Sequence, residues 1–278
     1  MLTTLAKYAI KLTPDFAATA IASALATRTQ RTSIASHEEE AMRGATRFSF
    51  GPENQHAAWS WGSGPIVVLV HGWGGRAAQM APLATHIAAQ GFRAVAFDVT
   101  GHGDSPESHT RWELFLRDIA ALAGRLNEKI YAYIGHSAGG LAMMAARKLR
   151  GIKAQRYICI CAPSHPFPPI RAIQNKLNPR PSVMERYKDY IAKQFETDWP
   201  TLQSGCAYAN AGADLLLCYD EKDRFVEHRE GDKILQLCPG ARLSKTSTFG
   251  HVRILSAPEV MNGVSDFLLS GRESLRVA

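Results

Sequence analysis

No run of about 20 uninterrupted apolar residues occurs in the chain, so an ordinary membrane-spanning helix is excluded. The five cysteines are an odd number and show no C-x-x-C spacing, which argues against a zinc ribbon and against a paired disulfide framework. Lys and Arg outnumber Asp and Glu by 32 to 25, a formal charge of +7, yet the basic residues form no block. Nucleic acid is therefore not expected as a partner. No internal repeat or low-complexity segment is present, which excludes a solenoid. With so little sign of disulfides, a reduced, cytoplasmic setting is expected.

At 278 residues, 46% of them apolar, the chain can bury one large core, and a single α/β domain of this size is ordinary. Residues 1–44 read as a helical extension. Lys7 and Lys11 precede apolar residues, but Lys11, Thr13, Pro14 and Asp15 interrupt any signal-peptide-like apolar region. Phe16, Ile21 and Leu25 recur at roughly helical spacing, so Pro14–Ala26 is expected to be an amphipathic helix packed on its own domain. Docking of that helix on a membrane surface or a partner is the alternative. A second helix starts near Ser36, with Glu38, Glu39 and Glu40 in its first turn, where the helix dipole favours acidic groups.

Beyond the extension, strands and helices alternate. Thr46–Phe50 and Ala57–Trp61 suit an antiparallel hairpin. Ile66–Val70 and Ala94–Asp98 are apolar runs of the kind buried in parallel sheets, and helical patterns cover Ala77–Ala89, Trp112–Leu126 and Leu141–Leu149. Cys159 and Cys161 alternate within an expected strand, Tyr157–Cys161, and would share one sheet face. The span 163–205 is too long for a simple strand-to-helix connection. It opens with Pro163, Pro166, Pro168 and Pro169, passes through Asn178-Pro179-Arg180-Pro181, and reads as helix from Val183 to Phe195.

The chemistry concentrates at Gly135-His136-Ser137-Ala138-Gly139, between an apolar strand candidate and a helix candidate. A G-x-S-x-G corner needs its glycines because the flanking backbones approach closely, and it presents the serine hydroxyl at a helix N-terminus. A serine needs a base, and the base needs an orienting group. Asp220 and Asp223 follow the apolar run 213–219, and His251 follows the strand candidate Ala241–Thr246. Both positions lie just past strand ends, where catalytic groups gather in open α/β sheets.

These residues, with His71-Gly72-Trp73-Gly74-Gly75 and the block Asp98–Ser105, resemble in order the motifs of α/β-hydrolase-fold serine hydrolases over roughly residues 45–270. The resemblance implies an α/β-hydrolase fold: a mostly parallel central sheet, helices on both faces, and a helical cap at 163–205 after the sixth strand. The core is then 45–162 and 206–278. It implies Ser137 as nucleophile, His251 as base and Asp223 as acid, since the family's acid precedes an aromatic-Val pair, here Phe225-Val226. Trp73 and Ala138 would supply the oxyanion-hole amides, and Trp73, His136 and Phe167 would contact substrate. The cap would line the site with Phe167, Ile170, Ile173, Tyr187, Tyr190 and Phe195, most of which would also pack it on the core.

Asp98 is expected to be structural, in a turn with Gly101 and Gly103, and His71 and His136 to hold the neighbouring loops. Thr100 stands where the family usually has proline, which alters loop stiffness only. The implied activity is hydrolysis of a small carboxylic ester or thioester through an acyl-enzyme, with no metal or organic cofactor. Short to medium acyl chains are expected, because Trp73 and the cap would narrow the entrance. Acyl transfer to another acceptor or carbon–carbon bond cleavage by the same triad are alternatives, and a non-catalytic binding module is a third. Sequence says nothing about oligomeric state or the physiological substrate.

Overall fold

In the computed structural model, residues 10–29 and 31–276 are described. Lys7 and the apolar residues before it lie outside them. Among the described residues, eight strands form one sheet. They are β1 (Thr46–Phe50), β2 (His56–Trp61), β3 (Ile66–Val70), β4 (Arg93–Phe97), β5 (Ile130–His136), β6 (Arg156–Ile160), β7 (Leu215–Asp220) and β8 (Arg242–Thr246). Their spatial order is β1-β2-β4-β3-β5-β6-β7-β8. β1 and β2 form the expected hairpin, β2 runs antiparallel to β4, and every other pairing is parallel. The architecture is the α/β-hydrolase fold.

Alternation along the parallel strands feeds two cores, one on each face of the sheet. Val68, Val70, Val95 and Phe97 face a core completed by α4 (Trp112–Leu126) and α5 (Ala138–Leu149). Val67, Leu69, Ala94 and Ala96 face the other core, completed by α3 (Ala77–Ala89) and α11 (Pro258–Arg276). The crossover helices therefore cover both faces, as the strand-helix alternation predicts.

Cys159 and Cys161 do not share a face. β6 ends at Ile160, Cys161 adopts a left-handed φ of 49°, and its side chain joins the core opposite that of Cys159.

The span 163–205 contains three helices: α6 (Phe167–Leu177), α7 (Pro181–Gln194) and α8 (Trp199–Gln203). α6 is absent from the sequence-based expectation, which places a helix only over Val183–Phe195 in this span. Prolines of the span open helices: Pro168 and Pro169 lie in the first turn of α6, Pro181 starts α7, and Pro200 follows the first residue of α8. A missing N–H costs nothing there, because first-turn amides have no intrahelical acceptor. Ile173, Tyr187 and Phe195 are buried, and Phe167, Ile170 and Tyr190 pack partly buried against the same core.

In the extension, α1 (Asp15–Thr27) packs on the cap helices α6 and α7. The deepest burial is not on the apolar stripe read from the sequence, of which only Ile21 packs against the core. Ala18 and Ala22 are fully buried, whereas Phe16 is 67% exposed. Small residues let two helices approach closely, and here that outweighs the area the larger side chains could bury. Arg180 at the start of α7 clamps the join, donating to Asp15 Oδ1 at 2.7 Å and to the carbonyls of Lys11 and Thr13. α2 (Ser36–Met42) begins where expected, with the Ala35 amide donating to Glu38. No helix of the described residues is long and apolar enough to cross a membrane.

Ala18→Leu should overpack the α1–cap contact and destabilise by about 1–3 kcal/mol. Phe16→Ser on the same helix should stay within about 0.5 kcal/mol of the parent. Thermal denaturation of the two variants checks the contrast.

Candidate active site

The turn after β5 is a strained corner. Ser137 has φ 51° and ψ −122°, outside the regions ordinary L-residues favour. Its amide donates to Ile160 O at 2.8 Å, and Gly140 N returns to Ser137 O at 3.0 Å. Two glycines are required by approach. A Cβ on Gly135 would lie 2.4 Å from Gly140 Cα, and one on Gly139 would lie 2.3 Å from His71 O. The start of α5 is thus pressed against both β5 and the loop after β3.

That loop supplies the second wall. A Cβ on Gly72 would come within 3.0 Å of Ser137 Cβ, so the His71–Gly75 turn runs directly past the serine. Gly75 N closes the turn onto Gly72 O at 3.0 Å, and Gly74 N donates to His102 Nε2 at 3.0 Å. Among the described residues, no hydrogen bond uses the amide of Trp73, nor that of Ala138, the first helical residue of α5. Two unspent donors therefore flank the serine. The Trp73 indole stacks on Phe115 at 5.8 Å and leans on Trp112 at 5.4 Å.

β7 and α10 (Gly250–Arg253) bring the acid and the histidine together. His251 Nδ1 donates to Asp223 Oδ2 at 2.6 Å, with the Asp223 side chain fully buried and that of His251 13% exposed. Asp223 Oδ1 accepts the amides of Phe225 at 2.7 Å and Val226 at 2.9 Å. Burial pushes the Asp223 carboxyl up, but the bond from His251 and these two amides outweigh it and hold it below the usual range. Ser137 Oγ makes no hydrogen bond to His251 among the described residues. Such pairs are commonly loose until substrate closes the site.

Asp220, the other acid in this loop, has a different task. Oδ1 accepts Lys222 N and Gly250 N at 2.9 Å each, and Oδ2 accepts Thr246 Oγ1 at 2.6 Å and the amides of Thr248 and Phe249 at 2.9 Å. Burial opposes ionisation here too, but these five donors win and hold the carboxyl well below its ordinary value. Asp220 thus ties the acid loop to the segment carrying His251. The signal was readable only as a second Asp three residues before the first; its partners are backbone amides, which sequence does not reveal.

His136 is buried behind the elbow, its ring 4.7 Å from that of His251, and its Nε2–H donates to His251 O at 2.8 Å. The ring holds the histidine segment against the elbow, the loop-holding role expected of it. His71 and His102 are similarly committed: His71 Nε2 accepts Val99 N and its Nδ1 donates to Gly72 O, while His102 accepts Gly74 N. Asp98 accepts the amides of Ala77 at 2.6 Å and Asp104 at 2.7 Å, capping α3 and closing the glycine turn. It stands apart from His251, in the structural place expected. Thr100 is bound through its N–H and Oγ1 to buried Asp118, contacts that proline could not make.

Two neighbours of the site went unread in the sequence. The Phe225 ring lies 5.2 Å from the His251 ring and is 66% exposed, and Cys161 lies behind Asp223. Phe167, expected at the substrate, lines a cleft of about 440 Å³ under the cap with His165, Ile170, Arg171, Met184 and Lys233. Neither Ser137 nor His251 lines that cleft. Cys161, Asp223 and His251 offer ligand atoms within 4.8 Å of one another. The 2.6 Å Asp223–His251 contact is shorter than the roughly 3.4 Å between two ligands of one tetrahedral zinc, so the pair is hydrogen-bonded and not spaced as a cage.

Comparison with known proteins agrees with this fold. A model of the alpha/beta hydrolase family matches residues 67–264. The chain belongs to the alpha/beta hydrolase family. It is 30% identical over 204 residues to a serine hydrolase-like protein of Dictyostelium discoideum, covering 69% of this chain and 56% of that one. It thus spans little more than half the length of that relative. A non-heme chloroperoxidase of Streptomyces lividans is 27% identical, over 79% of this chain and 96% of that protein. Among solved structures, one of an Acinetobacter baumannii protein described as a lipase superposes with a TM-score of 0.64 at 13% identity, covering 87% of this chain and 98% of that one. That last likeness is one of fold.

Burial holds His102 neutral down to about pH 4 and His136 to about pH 3, whereas unfolded histidines titrate near 6.5. Between those limits the unfolded chain binds more protons, so stability falls as pH drops from about 6.5 toward 4. Melting temperatures recorded across that range should fall steeply, and His136→Gln should flatten the slope. Asp220→Asn should cost about 2–4 kcal/mol at neutral pH, because an amide nitrogen then faces backbone donors. A melting temperature unchanged from the parent would show that Asp220 does not carry the loop.

Proposed function

We propose that this alpha/beta hydrolase is a serine hydrolase that cleaves small carboxylic esters or thioesters through Ser137, His251 and Asp223. The observation that carries the reading is the buried 2.6 Å bond from His251 Nδ1 to Asp223, on a segment held at the serine elbow by His136. In this reading His251 Nε2 takes the Ser137 proton as Oγ attacks the carbonyl carbon. Asp223 fixes the ring tautomer and stabilises the imidazolium. The oxyanion forms beside the amides of Trp73 and Ala138, preorganised donors of a kind typically worth several kcal/mol of barrier.

His251 then protonates the leaving group, and a water deprotonated by the same ring attacks the acyl-enzyme, releases the acid and restores Ser137. No step needs a metal or an organic cofactor. Five free cysteines fit a reducing, cytoplasmic setting. A second reading keeps the acyl-enzyme and changes its acceptor from water to an alcohol, thiol or peroxide. The likeness to a non-heme chloroperoxidase favours testing it. Product analysis with and without each added acceptor separates the two.

Ser137→Ala should lower ester hydrolysis by several orders of magnitude with little change in melting temperature. A fluorophosphonate should label Ser137 in the folded parent, and rates on p-nitrophenyl esters of rising chain length should peak at short to medium acyl groups. Retention of more than a few per cent of activity by Ser137→Ala would remove Ser137 as the nucleophile, and no adduct on Ser137 in folded protein would turn the reading toward a binding module.

A further inference from the structure

Cys161 is a strained, fully buried nucleophile that the proposed reaction does not use. Strand alternation would place its side chain beside that of Cys159. Instead the chain turns left-handed directly after β6, with φ 49°, while Cys161 N still donates to Cys218 O at 2.8 Å. A non-glycine residue in this region costs about 1–3 kcal/mol and persists where the surroundings demand it. The turn delivers Sγ to within 4.8 Å of both the Asp223 carboxylate and a ring nitrogen of His251.

Asp223 has room for one more donor. Oδ1 takes two amides, and Oδ2 takes only the imidazole N–H. Each carboxylate oxygen offers two lone pairs. We propose that Cys161 is a positioning residue whose thiol S–H donates to the Asp223 carboxylate and fixes it toward His251. This rests on the triad reading given above. Burial first, and then the adjoining Asp223 charge, hold the thiol well above its ordinary range, so it carries the proton it donates at neutral pH. The groups facing this pair are few. Asp220 presents its backbone to the thiol, Cys218 lies alongside on β7, and His136 faces His251 from the elbow.

The test compares Cys161→Ala, which removes the donor, with Cys161→Ser, which retains a short O–H. The alanine variant should lose about 3- to 10-fold in kcat, the scale of one hydrogen bond, with KM nearly unchanged. The acid limb of its kcat–pH profile should move upward, because a carboxylate short of one donor holds the imidazolium more strongly. The serine variant should lie close to the parent in both. Proton NMR of the Nδ1–H of His251, recorded in a Ser137→Ala background, should shift in Cys161→Ala and return in Cys161→Ser.

That resonance needs no turnover, so it reports on the thiol even if the triad reading fails. Should the alanine variant not fold, Cys161→Gly, which suits the left-handed backbone, makes the same comparison. An unchanged kcat, acid limb and resonance on removing the thiol would overturn the proposal. So would a serine variant as impaired as alanine, since sulfur packing alone would then explain the loss.

Discussion

The close approach of three backbones at one point governs this molecule. β5 must end within contact of the start of α5, and α5 must begin against the carbonyls of Val70 and His71. Only glycine at 135 and 139 permits both, since a Cβ at either would sit under 3 Å from main-chain atoms that cannot move aside. Closing this contact forces the residue between into left-handed backbone, and that residue is Ser137. The same compression lays the Gly72–Gly74 turn beside the serine and leaves the Trp73 and Ala138 amides unspent. The strained serine and the two unspent donors are thus products of one packing constraint, with the strain repaid by the sheet and its two cores.

The surrounding polar groups show how a buried site avoids paying for loose charges. Asp98, Asp118, Asp220 and Asp223 are all essentially removed from solvent, and each spends its oxygens on backbone amides or a polar side chain. The histidines follow the same rule in neutral form. His71 and His102 each accept a backbone N–H, and His136 donates to a carbonyl. His251 differs: its Nδ1 is bound to a carboxylate and its side chain keeps a little exposure. Among these four histidines, His251 alone pairs with a carboxylate at 2.6 Å while keeping some exposure.

Much of this was legible because it depends on local rules. The parallel strands show as β-branched apolar runs and the elbow as paired glycines around a serine, whereas the choice of Asp223 over Asp220 comes only from the family resemblance. What escaped depends on partners distant in sequence or on one backbone angle. Asp220 looks like a second candidate acid until Thr248, Phe249 and Gly250, nearly thirty residues on, offer their amides. Cys161 looks like a strand residue until its φ turns positive. His136 is expected to hold a neighbouring loop, but only the fold names its partner, the His251 carbonyl.

The prolines of 163–205 and the alanines of α1 misled for a related reason. Proline reads as a breaker unless its position within a helix is known, and at the first turn it is a helix starter. A stripe of Phe16, Ile21 and Leu25 reads as a buried face, yet Ala18 and Ala22 are the fully buried residues of α1 and of the stripe only Ile21 packs against the core. Each case sets side-chain size against backbone proximity, and proximity wins. The consequence reaches the site itself. α1 is clamped to the cap through Arg180, and Phe195 at the end of α7 packs on Trp112, which supports Trp73 beside the serine. The extension, the cap and the candidate oxyanion wall therefore form one continuous line of contact, from the Asp15–Arg180 pair to the Trp73 indole.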